Sequence, residues 1–161
     1  MSLLSIVISL FIFFPTNEIC EKNALSAFDK KQFYTVFASS ELNSINTELT
    51  LLSAHSSKSA YEGALLMKKA SIIGNPKDKL TLFKQGRTKL ETSIKSNPHI
   101  IEYLFLRYMV QENSPAFLGY HDNLEEDKKK IISNYSTFED VVKEAIRNYS
   151  KTSKSLSSIQ F

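Results

Sequence analysis

The twelve residues from Ile100 to Gln111, IIEYLFLRYMVQ, constrain this chain more than any other feature of its sequence. On a helix, where successive residues turn by about 100°, Ile100, Ile101, Leu104, Phe105, Leu106, Met109 and Val110 fall on nearly every side. A helix of that kind has no face to give to water, so it must sit centrally with neighbours around it. Two charges, Glu102 and Arg107, interrupt it about 140° apart, too far round to face each other on one helix. Each therefore needs a partner on another element, because an isolated buried charge costs several kcal/mol. Lys68 or Lys69 is the expected partner of Glu102, and Glu62 or a helix-end carbonyl that of Arg107.

The flanking sequence supplies the neighbours. Apolar residues recur at three- and four-residue steps from Asp29 to Tyr149, and no stretch alternates for long as a half-buried strand does. Phe33, Val36 and Phe37, then Leu42, Ile45, Leu49 and Leu52, predict one or two helices between about Asp29 and Ala54, with Ser39 or Ser40 capping the second. Ala60, Ala64, Met67 and Ala70 line a helix over about 57–72 whose small residues admit a close neighbour. In GNPKD, Gly74 stops one helix while Asn75 and Pro76 start the next, which carries Leu80, Phe83, Leu90 and Ile94. Asn97 and Pro98 begin the central helix, and ENSPAFLGYHDN ends it. Asp122 or Asn123 caps a sixth helix with Leu124, Ile131 and Ile132. STFE then reads as a capping box, Ser136 with Glu139, ahead of Phe138, Val142, Ala145 and Tyr149.

The expected architecture is thus all-α, a single-domain stack of antiparallel hairpins with six to seven helices over 21–150. A polar tail over 151–161 shows no apolar face and reads as loose. A length of 161 residues, with four Gly and four Pro, agrees with one helix-rich domain.

The first residues, MSLLSIVISLFIFFPTNEIC, carry an uncharged apolar block from Leu3 to Phe14. It is too short for a membrane span of about 20 residues but matches the apolar region of a secretory signal. No Lys or Arg precedes it and no small-x-small cleavage site stands out. Residues 1–20 are accordingly read as a signal-like segment directing export to the periplasm or beyond, with a retained membrane anchor as the competing reading. Cys20 is the only cysteine, so no intramolecular disulfide can form. It is read as a free thiol near the processing site; NEI before it lacks the pattern of a lipidation signal.

The net charge is +3 and the pI about 8.9, with basic residues spread along the chain. That is not the clustered surface a nucleic-acid partner requires. The run Lys128 to Lys130 follows Glu125, Glu126 and Asp127, an order that matches a helix dipole at both ends.

Gly86, Leu90, Ser93 and Pro98 resemble the second helix of a tetratricopeptide hairpin in their small, large, small, Pro order. The preceding helix offers Ala60, Gly63, Ala64 and Met67 in place of that family's aromatic anchors, so the resemblance covers one degenerate hairpin, about Ser57 to Pro98. A wider resemblance runs through YEGALLMKKA, KLTLFKQGRTKLETSIKSNP and EYLFLRYMVQENSPAFLGYHDNLEEDKK to small exported helical proteins of Gram-negative bacteria. It implies a helical fold and an envelope location and brings no chemistry with it.

No phosphate loop, nucleophile motif, zinc-spaced Cys and His set or paired catalytic carboxylates appear, so no catalytic residue, metal or cofactor is assigned. The expected function is a protein- or peptide-interaction module of the bacterial envelope, with a groove formed by Tyr61, Arg87, Tyr103 and Arg107. The alternative is a small-ligand binder or enzyme with a polar pocket around His99, Glu102 and Arg107, joined by Gln111 and His121. His99 and Glu102 share a face, yet supply only two of the three or four ligands a metal wants. Gln111, Asn113, Tyr120, His121 and Asp122 crowd around the Pro- and Gly-containing connection, where a plain helix-helix corner is the simpler reading.

Overall fold

A computed structural model describes residues 28–157; the signal-like segment and Cys20 lie outside the described residues. Seven α-helices follow one another: α1 (Lys30–Ala38), α2 (Leu42–Ser53), α3 (Ser59–Ile72), α4 (Pro76–Ser96), α5 (Ile101–Asn113), α6 (Leu124–Ser133) and α7 (Asp140–Ser150). Short 3₁₀ turns precede α3, α6 and α7, and the described residues contain no strand. The all-helical stack expected from periodicity is therefore observed.

Local chemistry sets several of the boundaries. The Asp29 carboxylate accepts from the backbone N–H groups of Lys31 and Gln32 at 2.8 and 3.1 Å, meeting two of the donors that a helix start leaves unpaired. Asn75 accepts from the Lys77 N–H at 3.0 Å, with Pro76 in the first turn. Other caps differ from the sequence expectation. Glu41, not Ser39 or Ser40, caps α2 through the amides of Asn43 and Ser44. Ser136 lies inside a 3₁₀ turn and makes no capping box, and α7 starts at Asp140. The chain leaves α3 through an extended Ile73, without a left-handed Gly74; Gly119, with φ of 55°, is the one left-handed glycine among the described residues. Pro98 sits in the turn before α5, not in the helix.

The closest packing joins α3 to α4. A Cβ placed on Gly63 would lie 2.6 Å from the Gly86 carbonyl oxygen, and one on Gly86 would lie 2.5 Å from that of Gly63. The two backbones touch there, and any side chain would push them apart. Ala60, Ala64, Met67 and Ala70 are all buried, as their stripe predicted.

Around that pair, α5 runs through the middle. Every residue from Glu102 to Gln111 is buried, including three polar ones. Phe105, Leu106 and Tyr108 are fully enclosed, and Phe33, Ile45, Leu65, Leu90, Ile131 and Ile146 from six other helices belong to the same core. The segment after Ser150 differs from the expected loose tail. Over 151–157 it folds back so that Leu156 is completely buried and Ser153 nearly so.

Candidate binding cleft on the central helix

Two polar centres lie along α5, one in its first turn and one at its middle. At the first, Glu102 Oε1 accepts from the Tyr34 hydroxyl at 2.9 Å and Oε2 from Lys30 Nζ at 2.8 Å. Lys30 also reaches Glu139 at 2.7 Å, so one ammonium joins α1, α5 and the start of α7. The partner is Lys30, not the expected Lys68 or Lys69. Burial, then the Glu102 charge, pushes the Tyr34, Tyr61 and Tyr103 hydroxyls above their ordinary range, keeping them neutral hydrogen-bonding groups.

At the second centre Arg107 is held by Asp127 in a bidentate pair, Nε to Oδ2 at 2.7 Å and Nη2 to Oδ1 at 2.8 Å. Its Nη1 donates to Glu91 Oε2 at 3.0 Å, and Glu91 Oε1 accepts from the Tyr120 hydroxyl at 2.6 Å. Burial alone would lower the Arg107 pKa, but Asp127 and Glu91 outweigh it and hold the guanidinium charged. Neither Glu62 nor a helix-end carbonyl serves Arg107; Glu62 pairs with Lys89 instead. Asp127 belongs to the acidic run that matches the dipole at the start of α6, yet its carboxylate is fully enclosed.

One turn beyond Arg107, Gln111 is completely buried and neither its Nε2 nor its Oε1 has a hydrogen-bond partner. Among the described residues these are the only buried side-chain polar atoms so placed. Unpaired donors and acceptors in an interior cost about 1–3 kcal/mol each, and a native structure has a reason for keeping them. Gln111 lines a cleft of about 390 Å³ between α4 and the connection leading to α6. Arg87, Glu91 and Lys95 line it from α4, and Tyr120 and Asp122 from the connection. The Arg87 guanidinium stacks 4.7 Å from the Tyr120 ring centre, a cation–π contact that orders one wall.

The expected groove of Tyr61, Arg87, Tyr103 and Arg107 is thus divided. Tyr61 and Tyr103 pack edge to face at 5.9 Å beside Glu102, whereas Arg87 and Arg107 belong to the Glu91–Tyr120 end of the molecule. His99 and Glu102 do converge, lining a shallow pocket of about 180 Å³ with Phe138 and Glu139. His121 joins neither cavity; its Nε2 donates to the Ser114 carbonyl at 2.9 Å and closes the corner after α5. Among the described residues no group of three or more His, Cys, Asp or Glu is placed to hold a metal. Among the described residues no helix is long and apolar enough to cross a membrane. Asp127 and Glu91 carried no signal in the sequence as partners of Arg107; the need for an acid near Arg107 was legible, but its identity was not.

No protein family, curated protein or solved structure matches this chain.

Proposed function

We propose that this chain is a helical, tetratricopeptide-like interaction module of the bacterial envelope that binds a protein or peptide partner in the α4–α5 cleft. One observation carries the reading: Gln111, with both amide atoms unspent, at the wall of an open cleft. A ligand that brings a donor and an acceptor to Gln111, once the side chains over it have turned aside, recovers the desolvation already incurred there. The rigid setting of Arg107, Asp127 and Glu91 behind it fixes the wall that the ligand meets. Export rests on the signal-like segment and on the resemblance to small exported helical proteins.

The test is capture from an envelope extract by wild-type protein and by Gln111→Leu, with circular dichroism to establish that both are folded. The expected result is a set of partners retained by the wild type and lost by the variant. The same partners on both would remove the cleft from the reading.

A second reading, small-ligand binding at the His99–Glu102 pocket, draws on the convergence of those two residues with Glu139. Both Glu102 oxygens are already engaged, so a ligand there would have to displace Lys30 or Tyr34. His99→Ala would weaken small-ligand binding on that reading and leave it unchanged on the first.

A further inference from the structure

We infer that the α4–α5 cleft takes a short free peptide of two or three residues, held by both of its charged ends. The inference rests on the reading of this cleft as a peptide site and specifies what kind of peptide enters.

The charges that remain available in the cleft are sorted by wall. Arg87 and Lys95 stand on α4 and neither has an ion-pair partner among the described residues. Asp122, on the connection, has none either and supplies the opposite sign. Glu91 lies between the two cations, but its oxygens are occupied by Arg107 and Tyr120. A carboxylate is therefore matched on the α4 side and an ammonium on the Asp122 side. Between them Gln111 offers one donor type and one acceptor, the complement of a peptide group.

A dipeptide or tripeptide carries these groups in that order: ammonium, amide, carboxylate. An extended chain of two or three residues spans about 7–11 Å at roughly 3.3–3.6 Å per residue, so its two charges lie far enough apart to meet different walls of one cleft. The cleft volume of about 390 Å³ also lies in the range of small-ligand sites. An internal segment of a protein brings no terminal charges to this arrangement, and a polyanion meets Asp122. Arg87, Lys95 and Asp122 are exposed, so their side chains can turn to admit the ligand to the enclosed amide.

The experiment follows the Gln111 side-chain amide of the ¹⁵N-labelled full-length chain by NMR. The probes are Ala-Ala-Ala, its N-acetyl form, its C-terminal amide and the doubly blocked peptide. The free tripeptide should shift the Gln111 resonance saturably, and each single block should weaken binding roughly tenfold or more, as loss of a charge-assisted hydrogen bond does. Asp122→Asn should abolish the difference between the free and N-acetyl forms, and the Arg87→Gln, Lys95→Gln pair that between the free and amidated forms. Equal binding of the doubly blocked peptide would overturn the free-end inference and leave the peptide site standing. If none of the four moves the Gln111 amide, both fall and the amide belongs to buried water.

Discussion

The charged centres of α5 and the turn beyond them bury polar groups of similar size on very different terms. At Glu102 and Arg107 every charge is answered at 2.7–3.0 Å by side chains from other helices. At Gln111, one turn from Arg107, a neutral amide is just as enclosed and answered by nothing. A charge left alone would not survive folding, whereas an amide left alone costs little enough to be kept where binding repays it. The ion pairs are thus the frame of the molecule, and the unpaired amide stands apart from it.

The comparison breaks most visibly at Arg107. Removing it as Arg107→Ala leaves Asp127 buried with no cation, and the expected loss is about 3–5 kcal/mol, measured by urea denaturation. Arg107→Met with Asp127→Leu should recover most of that loss, since both charges then disappear together; a double variant as unstable as the single would mean that the pair is not what organises this end. Glu102→Gln should cost less, about 1.5–3 kcal/mol, because Lys30 keeps Glu139 and is partly open to water. An unchanged denaturation midpoint would show that the Glu102 end is not part of the frame.

A third centre on the same helix responds to pH. Glu112 accepts from Tyr149, Ser153 and the backbone and hydroxyl of Ser155, tying down the chain after α7. Burial pushes its carboxyl up, but these bonds outweigh it and hold it below the ordinary value of 4.5. A depressed carboxyl contributes stability above the unfolded pKa and loses it as pH falls through the folded one. The tail should therefore loosen below about pH 4.5, seen as a falling protection factor against hydrogen exchange at the Leu156 amide, whose acceptor is Ser153. Glu112→Gln should show low protection at every pH; a wild-type protection factor independent of pH would sink the assignment.

The smallest effect belongs to Gln111→Leu. With no bonds to lose, the variant should be as stable as the wild type or more so by up to about 1 kcal/mol, while ligand recognition disappears. A clear destabilisation would place Gln111 in the frame with its neighbours.

Much of this was legible beforehand. Apolar spacing marked the helices because an amphipathic face is a local property of the chain, and the unbroken apolar surface of α5 required a central place. Where neighbouring polar residues compete for one cap, as Ser39, Ser40 and Glu41 do, spacing does not choose among them. Nothing in the sequence marks residues 151–157 as packed, because one Leu among Ser and Lys has no period to detect, yet Leu156 is enclosed in the core.

The sequence by itself settled that six to seven helices form about a buried middle one and that two charges on it must be neutralised, since both follow from which side chains avoid water. Only the tertiary structure chose Lys30, 72 residues away, for Glu102 and Asp127, 20 residues away, for Arg107, and left Gln111 with none. Ion pairs depend on distance in space, which the packing of whole helices sets and which no count along the chain can supply.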